Sequence, residues 1–291
     1  MLAEAFALEA QESQRLVDEL LADGGDRRFR VHLAGPDDVA ALLSLQVAAD
    51  VFLGAFGNSP ELLRAEYAPL FPAMRHVLVL DSATRTAVGS LILQEAPAQE
   101  LKTVVDAAGP PWSMPVDRTL GALGLERGAA TGADLLLLAV RPGYRRHGLA
   151  QLLMYGGWMA SLARGRHLWT AILDDTLLGG MNLMTEGALR PIDGAVSAPY
   201  LGSPASTPVS VRMDPDVDVD LLRRVEFLGT AASVDAQFSA AFEPGRRLLQ
   251  GRARATRLTR GLSACAWPPR PAVPSATPSS VPWPCARPAS P

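Results

Sequence analysis

Residues 140–150 combine residue types that suit the binding of an anion. The apolar run 135–140 predicts a strand covered on both faces, and an amphipathic pattern from Gly148 onward predicts a helix directly after the turn. Such a turn collects backbone amides without acceptors at the positive end of the helix dipole. Gly148 has no Cβ to hold the backbone away from phosphate oxygens, and Arg145 and Arg146 can add charge-assisted hydrogen bonds. The segment therefore predicts a site for a pyrophosphate group.

Motifs of several other catalytic classes are absent from the sequence. There is no Gly-x-Ser-x-Gly elbow, no Gly-Lys-Ser/Thr phosphate loop and no Gly-x-Gly-x-x-Gly turn, which mark serine hydrolases, P-loop enzymes and standard dinucleotide folds. Cys265 and Cys285 both lie near the C-terminus, so a disulfide-linked core and a cysteine-based zinc site in the body are excluded, and a reducing cytoplasm is predicted. We predict no metal, because the histidines stand singly: His32, His76, His147 and His167.

Charged residues are unevenly distributed along the 291 positions. Eight of the 27 basic residues follow Glu243, where no acid occurs, so residues 1–243 carry a formal charge of −11 and the remainder +8. The acidic body argues against nucleic-acid binding by the folded surface, because phosphate contacts need clustered bases. The first charged residues are Glu4 and Glu9, and the run 135–140 is far shorter than the ~20 residues that span a bilayer. Neither export nor membrane insertion is predicted.

Helical and strand patterns alternate along the body, which predicts a mixed α/β layer structure. Ser59 and Pro60 are typical of an N-cap and a first helical residue, and two β-branched and leucine-rich runs flank a short polar turn, as in a hairpin. The predicted order is helix 4–21 ending at Gly24-Gly25, strand 29–33, helices from Asp37 and Ser59, hairpin 76–80 and 87–94, strand 135–140, helix 148–164, strand 167–173, helix 176–186, and strands near 195–201 and 208–213.

Residues 95–132 follow the hairpin without a clear apolar period. Loops of this length inside a compact domain are usually functional or disordered, and we expect one of the two here. Lys102, the only lysine in the chain, is expected to be a solvated charge of this loop.

The pattern Val-x-Pro-x-x-Arg-x-x-Gly-x-Ala over 140–150 resembles motif A of the GNAT superfamily of N-acyltransferases. The order of predicted elements from Phe29 to about Met213 is also similar to that of the family. The resemblance implies an α/β (α+β) fold with a mixed, mostly antiparallel central sheet, splayed fourth and fifth strands, and helices on both faces. It implies a transferase that moves an acyl group from acetyl-CoA, or another acyl-CoA, to an amine.

On this resemblance, the coenzyme lies along the end of the motif strand and on the turn after it. Backbone amides of the turn hold the pyrophosphate, and His147 contributes its amide rather than its ring. The pantetheine arm pairs with exposed strand backbone where the fourth and fifth strands separate, as in strand addition. The implied coenzyme-binding residues are Leu138, Ala139, Val140, Arg145, Arg146, His147, Gly148, Leu149 and Ala150.

The resemblance also implies a general base and a proton donor, which the sequence supplies unevenly. Asp134, at the start of the motif strand, matches the acidic position that several relatives use as general base, directly or through water. A free aspartate has a pKa near ~3.9, so it needs burial or a relay to act near neutral pH, and the alternative is that it caps the adjoining loop. Relatives commonly place a tyrosine four residues before a Gly-Phe pair, but here Leu183 precedes Gly187-Ala188.

Two alternatives to the N-acetyltransferase hypothesis stay open. Residues 90–93 and 100–106 are similar to the segment after the third strand in acyl-homoserine-lactone synthases and long-chain N-acyl amino acid synthases, so the donor could be a longer acyl group on coenzyme A or acyl carrier protein. The missing tyrosine leaves open a non-catalytic coenzyme A binding module of the same fold, although a thiolate is a good leaving group and loss of the acid need not abolish activity. The acceptor is expected to be a small-molecule or peptide amine, and a homodimer is left open.

Composition divides the chain into three predicted parts. Residues 1–26 form a leading helix, residues 27–243 the acyltransferase domain, and residues 244–291 a basic, proline-rich tail. Nine prolines in the last 24 residues leave too little apolar surface to offset the entropy of ordering, so we expect this tail to be disordered.

Overall fold

The protein is described by a computed structural model that covers residues 8–22, 28–56, 59–128, 130–184, 189–192 and 194–212. The predictions for the start of the first helix, for Gly24-Gly25, for Gly187-Ala188 and for the tail 244–291 lie outside these residues.

Helices and strands alternate along the described residues much as the sequence pattern predicts. The α-helices are α1 (Ala10–Leu21), α2 (Val39–Phe56), α3 (Pro60–Tyr67), α4 (Lys102–Ala108), α5 (Val116–Ala122), α6 (Leu149–Ala163) and α7 (Asp175–Met184). The strands are β1 (Phe29–Ala34), β2 (Met74–Asp81), β3 (Thr86–Pro97), β4 (Thr131–Val140), β5 (Leu168–Asp174), β6 (Arg190–Pro191), β7 (Ala198–Tyr200) and β8 (Ser203–Arg212).

All eight strands join one sheet in the order β1-β2-β3-β4-β5-β8-β6, and β7 pairs with β8. Every described pairing is antiparallel except that of β4 with β5, which is parallel. The predicted fold class, a mixed and mostly antiparallel sheet, is confirmed.

Strands β4 and β5 pair over only part of their length. Residues 133–135 pair with residues 169–171, and the remainder of β4 runs on without a partner in β5. The register of β4 against β3 shifts at the same point, because Leu136 is an extra residue between two successive pairs. A β-bulge increases the local twist of a strand, so it turns β4 away from β5. The predicted separation of the fourth and fifth strands is therefore confirmed.

Helices cover both faces of the sheet, as predicted. One apolar core lies between the sheet and α6, and it includes Leu153, Trp158 and Trp169. Gly157 lets α6 approach this face closely, since a Cβ there would lie 2.5 Å from Leu91 Cδ2 and 3.0 Å from the Trp169 ring. The opposite face carries two cores, one under α1, α2 and α3 and one under α4 and α5.

Local sequence signals account for some element boundaries and miss others. Ser59 is the predicted N-cap of α3, and its hydroxyl accepts a hydrogen bond from the backbone N–H of Leu62 at 3.1 Å. The expectation that residues 95–132 form a long functional or disordered loop is wrong, because β3 extends to Pro97, β4 begins at Thr131, and α4 and α5 lie between them. Among the described residues, none of the helices has the length and apolarity needed to cross a bilayer.

Candidate active site

The turn between β4 and α6 has the geometry of an anion site. After a short 3₁₀ turn at Pro142–Tyr144, the backbone takes positive φ values at Arg146 (66°) and Gly148 (77°). The first amide of α6 with an intrahelical acceptor is that of Leu152, which donates to the carbonyl of Gly148 at 2.9 Å. The amides of residues 149–151 therefore have no acceptor within the helix, and they lie at the positive end of its dipole.

Some side chains around this turn are exposed to solvent, and others are buried beneath it. Arg145, Arg146 and His147 are exposed, and the Arg145 Nε donates to the carbonyl of Val140 at 3.2 Å. The His147 Nδ1 donates to the carbonyl of Arg145 at 3.0 Å, which suits a residue that offers its amide to a ligand. Leu149 is only 3% exposed and packs in the α6 core, so only its backbone is available to a ligand at this turn.

Hydrogen bonds to neighbouring elements hold the turn in place. The Arg141 guanidinium donates to the carbonyl of Ala87 and to the carboxylate of Asp50, each at 2.8 Å. The Tyr144 and Thr84 hydroxyl groups share a hydrogen bond of 2.8 Å, which ties the turn to the β2–β3 hairpin. A turn fixed at both ends costs less ordering entropy when a ligand binds.

The unpaired part of β4 leads directly into this turn. Leu138 and Val140 are partly buried against the α6 core, whereas Ala139 faces the opposite core and is 1% exposed. The register therefore leaves the backbone of residues 136–140 without a strand partner in β5, and the Val140 carbonyl accepts the Arg145 Nε instead. An extended ligand could add to this edge as a further strand does.

Asp134 lies at the closed end of the gap between β4 and β5. It pairs with Gln94 of β3 on one side and with Thr170 of β5 on the other, and its side chain is fully buried. The carboxylate accepts two hydrogen bonds from Thr103, one from the backbone N–H at 2.5 Å and one from the hydroxyl at 2.7 Å. Asp134 thus caps the first turn of α4, a helix that the sequence analysis did not predict, rather than the loop adjoining its own strand.

Burial changes the acidity of this carboxyl group. Desolvation raises the pKa of Asp134 to about 7, although the hydrogen bonds from Thr103 act in the opposite direction. A carboxylate with a pKa near neutrality can accept a proton at physiological pH and release it again. Capping and proton transfer are therefore compatible in this residue.

Lys102 is buried, so the expectation of a solvated loop charge is wrong. Its Nζ donates to the carboxylates of Glu66 on α3 and Asp106 on α4, each at 2.7 Å. The rings of Tyr67 and Tyr200 lie 5.6 Å and 5.9 Å from the ammonium group. Burial acts to lower the pKa of Lys102, but the two carboxylates outweigh it and raise the pKa overall. We call Glu66, Tyr67, Lys102, Asp106 and Tyr200 the lysine cluster.

Replacing Lys102 by methionine is expected to destabilise the protein by roughly 2 kcal/mol, because two half-buried carboxylates then face each other without a cation. The loss is measured as the change in the free energy of unfolding in urea. Arg127→Met is the matched control, since Arg127 forms an exposed pair with Asp117 and should change stability by less than about 0.5 kcal/mol. Equal losses in the two variants would contradict a structural role for the lysine cluster.

Residues predicted for the site fall into two groups. The nine predicted coenzyme-binding residues lie at the end of β4, in the turn after it, and at the first two positions of α6. Asp134 lies earlier on the same strand, and its partner Thr103 was not identified from the sequence, because α4 itself was missed. Leu183, at the tyrosine position of the family, lies in α7. Among the described residues, no group of three His, Cys, Asp or Glu side chains is placed to hold a metal ion.

Comparisons with known proteins find similarity in structure only. No protein-family model matches the chain, and no curated protein matches it. One similar solved structure is the NatC complex bound to Gag peptide and CoA, with 11% identity, a TM-score of 0.43, and coverage of 64% of this chain and 99% of that one.

Two further solved structures are synthases. The CoA-dependent acyl-homoserine lactone synthase BjaI, with SAM and isopentyl-CoA, has 14% identity, a TM-score of 0.45, and coverage of 67% of this chain and 89% of its own. FeeM, an N-acyl amino acid synthase from uncultured soil microbes, has 12% identity, a TM-score of 0.46, and coverage of 64% and 91%.

Identities and TM-scores of this size do not establish the fold, so the topology of the sheet itself must identify it. The mostly antiparallel order, the single parallel pair and its separation at the turn before α6 are the features that the motif over 140–150 implies. The sheet topology is therefore the one expected from the resemblance to the GNAT superfamily.

Proposed function

We propose that the protein is an acyl-CoA-dependent N-acyltransferase whose donor is acetyl-CoA or another short acyl-CoA. One observation carries the proposal: β4 leaves β5 after Leu135 and runs, unpaired on that side, into a turn with free helical amides and a positive φ at Gly148. The strand edge suits the pantetheine arm, and the turn suits the pyrophosphate.

The residues of the turn fit the coenzyme in kind and in position. The amides from Arg145 to Ala150 would hold the diphosphate oxygens, with the Arg145 and Arg146 guanidinium groups at the exposed rim. Leu138 and Val140 would lie against the pantetheine arm, which ends near the closed end of the gap between β4 and β5. The thioester is thereby directed toward Asp134.

Asp134 would remove the proton that the amine loses on attack. The amine nitrogen forms a bond to the thioester carbon, the carbon–sulfur bond breaks, and the amine proton reaches Asp134. Because Asp134 is fully buried, water must relay this proton. A thiol has a pKa near ~8.5, so the departing thiolate can leave and then take a proton from solvent without a dedicated tyrosine.

The space beneath the gap favours a short acyl group over a long one. On the α6 face, Leu135, Trp158, Trp169 and Leu173 line a cavity of about 20 Å³, which holds about one water molecule. A long acyl chain would have to displace the packed indole rings of Trp158 and Trp169, whose centroids are 5.6 Å apart. This packing supports acetyl-CoA over the long-chain donor of the alternative hypothesis.

Release of free thiol from acyl-CoA, measured with a panel of small-molecule and peptide amines, tests the proposal. We expect amine-dependent release with acetyl-CoA, and at least a tenfold lower kcat/KM with octanoyl-CoA because of the filled space. Coenzyme binding without release from any donor would instead favour the binding-module alternative. Absence of coenzyme binding in calorimetry would contradict the proposed site as a whole.

A further inference from the structure

Two strands of the sheet, rather than α4 itself, cap the first turn of α4. The residue before the helix, Leu101, provides no side-chain cap. Instead the backbone N–H of Lys102 donates to the Gln94 Oε1 of β3 at 2.8 Å, and the N–H of Thr103 donates to Asp134 of β4. The first turn of α4 is thus bound directly to the candidate base.

The Thr103 hydroxyl adds a contact that capping does not need. Its Oγ1 donates to the Asp134 Oδ1 at 2.7 Å, while the Thr103 N–H already occupies Oδ2. Both carboxylate oxygens therefore accept a hydrogen bond from one residue, and Thr103 itself is only 2% exposed. Donors of this kind stabilise the ionised form of a carboxyl group.

The lysine cluster holds Thr103 in this position from the other side of α4. Lys102 ties the helix to Glu66 of α3, and the Tyr200 hydroxyl of β7 donates to Asp106 in the following turn. The titratable groups around Asp134 belong to three elements: Lys102 and Asp106 on α4, Glu66 and Tyr67 on α3, and Tyr200 on β7. On β5, Thr170 contributes a neutral hydroxyl.

We propose that Thr103 is a positioning residue that sets the pH at which Asp134 loses its proton and fixes the orientation of its carboxylate. This inference rests on the proposed function only for its effect on turnover, since the ionisation of Asp134 can be observed in the resting protein. Thr103 acts through Asp134 and does not contact the substrates.

Replacing Thr103 by valine removes the hydroxyl and keeps the shape and the backbone N–H. Loss of a hydrogen bond to the charged form should raise the titration midpoint of Asp134 by about one pH unit. The midpoint is measured by carbon-detected NMR of protein labelled with ¹³C at aspartate carboxyl carbons, and Asp134→Asn identifies the resonance. The acid limb of kcat/KM should move to higher pH by the same amount, because the base must be ionised.

Two further variants separate positioning from folding. Thr103→Ser keeps the hydroxyl, so the Asp134 titration midpoint and the acid limb of kcat/KM should stay at their native pH values. Thr119→Val removes another fully buried threonine hydroxyl, which donates to the carbonyl of Pro115 at 3.3 Å in α5, and should leave the Asp134 midpoint unchanged.

The outcomes distinguish this proposal from the proposed function. An unchanged Asp134 midpoint in Thr103→Val, or an equal shift in Thr119→Val, overturns the role of Thr103. A shifted midpoint supports the control of ionisation even if no amine substrate is turned over. A shifted midpoint with an unmoved acid limb overturns the catalytic part of the inference, since Asp134 is then not the base.

Discussion

Replacing Gly148 by glutamate is expected to weaken coenzyme A binding by about 100-fold or more, an effect of roughly 2.7 kcal/mol. Gly148 has a φ of 77°, so its backbone can approach the diphosphate, and any side chain there would intrude on the same space. Glutamate also brings a negative charge next to the phosphate oxygens. Binding is measured by isothermal titration calorimetry with coenzyme A.

Two control variants separate the effect of the glutamate charge from the effects of backbone strain and of position in the turn. Gly148→Ala carries the same backbone strain, about 1–2 kcal/mol, without the carboxylate, and should bind coenzyme A more tightly than the glutamate variant. Gly143→Glu adds the same charge at an open position of the same turn, where a Cβ meets nothing within 4 Å, and should weaken binding less than tenfold. If Gly148→Glu is folded and binds normally, the pyrophosphate does not lie on this turn.

Replacing Asp134 by asparagine is expected to lower kcat by about 10²- to 10⁴-fold, the range typical of a lost general base. Asparagine keeps the size of the side chain and can still accept the hydrogen bond from the Thr103 N–H. Coenzyme binding should therefore change little, and the loss should appear in kcat with acetyl-CoA and the best amine. Activity close to that of the native protein would contradict the assignment of Asp134 as the base.

Asp134→Asn should also change how the free energy of unfolding depends on pH. The pKa of Asp134 is about 7 in the folded protein, above the ~3.9 of an unfolded aspartate, so the folded state retains a proton that the unfolded state has lost. This contribution to the free energy of unfolding is complete below about pH 4 and is lost as the pH rises to about 7. Urea unfolding should show this decline in the native protein and a smaller one in Asp134→Asn.

Much of the site could be predicted from the sequence because its residues are close together along the chain. The turn at 140–150, its glycine and the flanking strand and helix are consecutive in the chain, so their positions follow from one motif. Ser59 likewise acts within three residues of itself. The separation of β4 from β5 was implied by the family resemblance rather than by any residue pattern.

The parts that were missed depend on contacts between distant residues. α4 has seven residues and no local cap, and its first turn is satisfied by Gln94 and Asp134 from the sheet. The spacing of Lys102 and Asp106 is that of an ion pair on one helix face, which was available in the sequence. The burial of that pair depends on Glu66 and Tyr200, which lie 36 and 98 positions away along the chain.

Lys102 is the one side-chain amine in all 291 residues, and the fold keeps it enclosed between two carboxylates and two phenol rings. An activated thioester in the gap between β4 and β5 would thus meet no exposed lysine of its own chain to modify. For the same reason, an amine-selective reagent can label only one side chain of this protein, that of Lys102. Any ε-amino adduct reports the opening of the lysine cluster, and its rate measures how often the Lys102 ammonium becomes exposed.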